Sequence, residues 1–365
     1  MTYFRVYDGK SNNKATKSFF GKASGIRDYD DIKYPAMLQY SKDFFAEYWV
    51  EDEVKLGVDV GEYRDKLTDR ERYVYNIQTG SLNWLDSIAT DFNTVLYFLC
   101  TEPSIRSCLS LITSFEQLHN RSYQYLTSTM LNQQEKEQAF KETRELEVLV
   151  KRNMHLIKPI EKMINTVKTK LCEEVTGKTI SEEDVMQDVF KGLIAYLNLE
   201  GLYFSGGFVY FHSLARDQKM MGSNNMITLI KTDENQHSEF YGLLLQIIMS
   251  EFTYLNTKEN LEYAMSFIKE AVKLEKEWSE FIFEGITTLS IKEYHNYVEY
   301  LSNLICRNAG LPEPYPENNE LKSKWISTYG SKKRNGVENE VVTRTDFLQS
   351  DAINYQHEGG EDFDL

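Results

Sequence analysis

Two of the six histidines in this chain follow a glutamate by three positions, in Glu116-x-x-His119 and Glu234-x-x-His237. Both pairs lie inside long apolar-periodic stretches. Side chains three, four and seven positions apart share one face of a helix. In FEQLHNRSYQYL this puts Glu116, His119 and Tyr123 together, in phase with Ile112, Phe115 and Leu126, which mark the buried side. A carboxylate and an imidazole turned toward a core are costly unless something there neutralises them. The fold must therefore bring these helices around a counter-charge.

Each pair is preceded by a helix carrying one carboxylate in apolar surroundings. Asp86 sits in LNWLDSIA among Leu82, Leu85 and Ile88; Glu200 sits in LIAYLNLEGLYF among Leu193, Ala195, Leu197 and Leu202. The steps from Asp86 to Glu116 and from Glu200 to Glu234 are 30 and 34 residues. This carboxylate-helix, Glu-x-x-His-helix plan, stated twice, is the ligand arrangement of ferritin-like di-metal carboxylate bundles, here with Asp in place of one Glu. Four buried carboxylates are balanced by two divalent ions and only half balanced by one. Leaving them bare would cost several kcal/mol per ion. Oxygen-dominated ligation with one imidazole per metal suits iron or manganese better than a structural zinc.

The rest of the chain fits an all-α fold. Strand signals are nearly absent and there are only 6 prolines among 365 residues. Helical patterns are expected at about 36–48, from the Thr68 capping box TDRE to Cys100, and from Ser104 to Met130. A charged helix is expected over 132–172 with a kink at Pro159. The SEED cap opens a helix through Glu200 toward Leu214, with Gly206-Gly207 marking a kink, a π-bulge or a close backbone approach. The SNN at 223–225 is read as the cap of a helix to Phe252, followed by helices over 258–283 and 289–308. This gives an extended N-terminal segment (1–35), one helical domain (36–310) and a flexible tail (311–365).

A net charge of −15 and the lack of a basic run argue against nucleic acid or an anionic membrane as partner. No stretch has the roughly 18 apolar residues of a membrane span. The four scattered cysteines, Cys100, Cys108, Cys172 and Cys306, read as reduced thiols of a cytoplasmic protein.

The segments LNWLDSIA, FEQLHNRSY, LEGLYFSGGF and IKTDENQH, with KEWSEFIFEG downstream, resemble the small, radical-generating subunit of class I ribonucleotide reductase over nearly the whole chain. The resemblance implies one metal at Asp86, Glu116 and His119 and a second at Glu200, Glu234 and His237. It puts Tyr123 at the place of the stable tyrosyl radical and Phe204 and Phe208 in the apolar pocket around it. It aligns Trp49 with the tryptophan of the electron-transfer chain, and Asp233 with the aspartate linking that tryptophan to the metal-bound His119. Thr232 departs from the arginine often found before that aspartate. In the tail, Tyr355 takes the place of the relay tyrosine, although an ungapped reading puts Phe347 there.

The activity so implied is that of a ribonucleoside-diphosphate reductase small subunit. A di-iron site (manganese remaining possible) activates O2, and the tyrosyl radical is passed to a large catalytic subunit. A homodimer is expected, with the acidic C-terminal HEGGEDFDL docking on the large subunit through Phe363 and Leu365. The alternatives are another ferritin-like di-iron oxidase, desaturase-like or ligand-binding, which needs no Trp49, Asp233 and tail together, and an iron-storage bundle, usually about half as long.

Overall fold

The computed structural model describes residues 15–21 and 26–330, together with the residue pairs 333–334 and 337–338. Helix α1 (Pro35–Ala46) and the short α2 (Gly57–Asp65) lead into α3 (Asp69–Leu99). The Thr68 side chain accepts from the Glu71 backbone N–H, and Glu71 accepts from that of Thr68, so the capping box starts α3. After a three-residue connection comes α4 (Pro103–Met130), where Pro103 stands at the first helical position. So short a link forces α3 and α4 to run antiparallel, and the two pack along each other.

The charged stretch forms two helices, α5 (Gln133–Glu145) and α6 (Glu147–Leu171), and α6 continues through Pro159. The break falls instead at Leu146, where ψ is 106°. Leu146 is half-buried and packs against the core at this break, where no glycine or proline signals one. A single turn, α7 (Glu173–Thr176), precedes α8 (Glu182–Asn198), capped by Ser181. A π-helical turn, Leu199–Phe204, then joins α8 to α9 (Ser205–Arg216). Gly206 and Gly207 stay helical; a Cβ at Gly207 would meet Leu82 at 2.9 Å, so they serve a close approach just beyond the π turn.

Helix α10 (Met221–Glu251) starts before the SNN expected to cap it. Its first turn is satisfied by Asp59 of α2, which accepts from the N–H groups of Gly222 at 3.0 Å and Ser223 at 2.6 Å. The fold closes with α11 (Lys258–Ile282), α12 (Ile291–Asn308) and α13 (Lys324–Tyr329). A two-residue antiparallel pair, Lys333–Arg334 with Val337–Glu338, is the one paired strand element among the described residues.

Helices α3, α4, α10 and the α8–α9 rod form the central bundle, flanked by α1, α6, α11 and α12. Ahead of α1, Phe19 is fully buried and bridges to Cys100, while the Ser18 N–H donates to Glu251 at 2.7 Å. The apolar faces predicted from periodicity all meet in this core, including Leu82, Leu85, Ile112, Phe115 and Leu126.

Candidate metal centre

Each helix of the central bundle contributes polar groups to one buried point. Asp86 comes from α3, Glu116 and His119 from α4, Glu200 from the π turn, and Glu234 and His237 from α10. All six are fully buried. Their helices are amphipathic in the ordinary sense, so the same faces that supply the core supply the ligands.

Two overlapping groups result. Asp86, Glu116, His119 and Glu234 form one; Glu116, Glu200, Glu234 and His237 form the other, with one donor atom per residue lying within 4.8 Å of the rest. Glu116 and Glu234 belong to both. Glu234 turns Oε1 to His119 Nδ1 at 2.9 Å and Oε2 to His237 Nδ1 at 2.8 Å. Glu116 does the same at longer range, 3.6 Å to His119 and 3.3 Å to His237. Asp86 lies 3.4 Å from His119, and Glu200 3.8 Å from His237, each on the outer side of its own group. The sequence pattern reads two separate triads; it carries no sign that two carboxylates face both histidines.

The chemistry of this donor set fits two divalent cations. Both oxygens of Asp86 and of Glu200, one oxygen each of Glu116 and Glu234, His119 Nδ1 and His237 Nε2 are buried without a hydrogen-bond partner. Native interiors leave very few such atoms. Burial pushes the Asp86 and Glu200 carboxyls well above the usual range, with neighbouring carboxylates adding to it. For Glu234 burial pulls the same way, but His119 and His237 outweigh it and hold the carboxyl low. Burial opposes charge on the histidines too, yet the surrounding carboxylates raise both well above their ordinary value. All these directions have one cause, a buried group of carboxylates short of counter-charge, which two bound cations would supply.

Beyond the cluster, Trp49 is 97% buried and donates its indole N–H to Asp233 Oδ2 at 2.8 Å. The same oxygen lies 3.1 Å from His119 Nε2, and the indole stacks on the imidazole at 6.2 Å and 23°. Thr232 turns back to bond the Thr228 carbonyl of its own helix at 2.9 Å. Tyr123, one turn past His119, is fully buried, and its hydroxyl has no partner. Burial among Asp86, Glu234, Glu116 and Glu200 pushes that phenol well up. Phe204 and Phe208 are buried with nearly parallel rings, centroids 6.1 Å apart. Sequence reasoning missed a polar relay beside Glu116: Tyr196 donates to its Oε1 at 3.3 Å and receives from Asn93 at 2.8 Å. Asn93 in turn accepts from Tyr241. The tail positions Phe347, Tyr355, Phe363 and Leu365 lie outside the described residues.

Residues 27–322 match the family described as Ribonucleotide reductase, small chain. The chain belongs to this family. It is 28% identical over 326 residues to the ribonucleoside-diphosphate reductase subunit beta of Halalkalibacterium halodurans, covering 89% of each chain. Its fold matches the ribonucleotide reductase R2 subunit of Clostridium botulinum with a TM-score of 0.80 at 24% identity, over 90% of this chain and 98% of that one. It also matches the dimanganese(II)-NrdF of Streptococcus sanguinis with a TM-score of 0.65 at 18% identity, over 83% and 98%. The all-α, ferritin-like architecture expected from the ligand helices is the observed one. The chain functions as the small subunit of a ribonucleoside-diphosphate reductase, an oxidoreductase whose family pairs it with a large subunit and forms dimers. Neither another ferritin-like di-iron oxidase nor an iron-storage bundle is favoured. Among the described residues no helix is long and apolar enough to cross a membrane.

Proposed function

We propose that this small subunit holds two iron ions per chain and uses them to make and store a radical on Tyr123. One ion would be held by Asp86, Glu116 and His119 and the other by Glu200, Glu234 and His237, with Glu116 and Glu234 reaching both. The observation that carries this reading is the set of orphaned carboxylate and imidazole atoms converging from four helices, beside an orphaned phenol one turn from His119. Oxygen-rich ligation admits manganese as well, and iron is the proposed occupant. When bound, the metals supply the O2-dependent oxidising power for the tyrosine.

The chain's own residues do the rest. Burial pushes the Tyr123 phenol well up, which favours its protonated form in the resting protein. The surrounding apolar side chains keep water from quenching the radical. Trp49, Asp233 and His119 form a hydrogen-bonded line leading away from the cluster, the proposed path for the electron that later refills Tyr123. Asp233 also fixes the orientation of the His119 ring.

The proposal extends to Tyr355 as the relay residue of the tail and to the last residues as the anchor on the large subunit. It treats 36–310 as the metal-bearing domain, with segments 1–35 and 311–365 flanking it, and places the homodimer in the cytoplasm. Buried thiols at Cys100, Cys108 and Cys306 and an unpaired Cys172 accord with a reducing compartment.

The test is to load the metal-free protein with ferrous iron and expose it to air. Two irons per chain and a tyrosyl signal in absorption and electron paramagnetic resonance are expected. A fully loaded protein with no radical would overturn the reading. Deleting 358–365 should leave metals and radical intact but abolish turnover with the large subunit; full turnover would remove the tail from the proposal.

A further inference from the structure

Glu200 is the one cluster residue carried by a π turn, and that turn is gripped from its far side by buried charge. In an α-helix residues three apart share a face. The wider π turn separates them, so Glu200 points into the cluster while Tyr203 points away, toward α6 and α11. Such turns are rare and concentrate at functional sites.

Tyr203 is held at three places. Its ring lies under the Arg152 guanidinium at 3.8 Å, its carbonyl accepts from Arg152 Nη2 at 3.4 Å, and its hydroxyl reaches the carbonyls of Arg152 at 3.4 Å and Ala271 at 3.5 Å. Arg152, 2% exposed, is paired with the fully buried Glu275 through Nε at 2.5 Å. The other Glu275 oxygen accepts from Tyr294. Both the Tyr294 hydroxyl and that oxygen sit against the helix backbone just past the turn: a Cβ at Gly206 would lie 2.8 and 2.9 Å from them. Gly206 is therefore the residue that lets the charged group seat there.

A buried ion pair is poor evidence of stabilisation, because desolvation offsets its attraction and apolar residues of equal volume often serve as well. What apolar residues cannot do is bond the Tyr203 carbonyl and fix one register. We infer that Arg152 and Glu275 are positioning residues that hold the π turn, and through it Glu200, in the register required for metal binding. The inference rests on the metal-site reading above. With the grip removed, the turn relaxes toward α-helical register, where Glu200 and Tyr203 compete for one face.

The test is a Mn(II) titration of the metal-free full-length protein, followed by calorimetry, with circular dichroism and thermal melting as controls of folding. Arg152→Met/Glu275→Met removes both charges together, so none is stranded. Arg152→Lys keeps the pairing charge but loses the planar fork that reaches the Tyr203 carbonyl. Glu200→Ala serves as the reference for loss of one site. In both clamp variants one of the two sites is expected to weaken by about 10- to 100-fold while the other holds, as in Glu200→Ala. A folded clamp variant with two wild-type sites, beside a Glu200→Ala that has lost one, overturns this inference alone. Should the double variant fail to fold, Arg152→Lys decides by the same criterion. Two normal sites in Glu200→Ala would overturn the ligand assignment and the inference with it.

Discussion

Trp49 and Asp233 stand 184 positions apart in the chain and are joined by a buried hydrogen bond of 2.8 Å. The accepting oxygen also faces His119 at 3.1 Å, so a continuous polar line runs from the indole to the cluster. Trp49→Phe keeps most of the ring's packing and removes the N–H. Metal content and the Tyr123 radical should be unchanged, while turnover with the large subunit falls by at least about tenfold, the scale on which outer hydrogen-bond partners act. Steady-state assays alongside the resonance spectrum check this; wild-type turnover would take Trp49 off the path.

The Tyr123 hydroxyl is buried with no partner, so its removal costs the metal-free fold nothing. Tyr123→Phe should leave stability to urea unchanged or raise it by about 1 kcal/mol, since an unsatisfied buried polar group is deleted. The variant should bind two metals and form no stable radical. A wild-type radical spectrum would point to a different tyrosine.

Burial depresses Lys231 to about 8 from its ordinary 10.5. Between those values the unfolded chain binds the proton and the folded chain does not, so stability rises with pH through that window. Below it both states are protonated and the full cost of the buried ammonium, about 3 kcal/mol as an upper figure, is present. Lys231→Met should therefore stabilise the protein at neutral pH, and the gain over wild type should shrink as pH climbs past 8. Urea unfolding of the pair at neutral and alkaline pH reads this directly; a constant difference would show that the charge is not the cause.

What the sequence disclosed was what acts within a turn or two of helix. The Thr68–Glu71 cap and the Glu116–His119–Tyr123 face are both of this kind, because helical spacing alone fixes which groups meet. The bundle followed from the four carboxylate-bearing stretches and their repeated order. Other features depend on residues that meet only after folding. Asp59 caps α10 from 163 positions away, and Arg152 meets Glu275 across 123. Leu146, half-buried against the core, sits at the break between two helices that no local signal announces. The π turn left one trace, the glycines at 206 and 207, and its partners on α6, α11 and α12 were needed to read it.

His119 and His237 have folded values raised well above 6.5, so their stabilising contribution is complete below the unfolded value and is lost as pH rises through the folded one. Asp86 and Glu200 are raised as well, so the metal-free fold holds their protons where the unfolded chain has released them, and it too loses stability on going alkaline. Glu234, held low, works the other way and contributes above the ordinary carboxyl range. Between about pH 6 and about pH 8 Glu234 is ionised in both states and adds no slope, so the raised histidines make the metal-free protein more stable at the acid end of that interval. Metal binding must displace those protons, so its affinity should rise over the same interval and the loaded protein should show the reverse trend. Calorimetric titration with Mn(II) in buffers of different ionisation enthalpy should register proton release at neutral pH. In Glu234→Ala, which lacks the carboxylate facing both histidines, metal content should fall well below two per chain. Binding without proton release, or full loading of Glu234→Ala, would contradict the picture of a cluster in which cations take the place of protons.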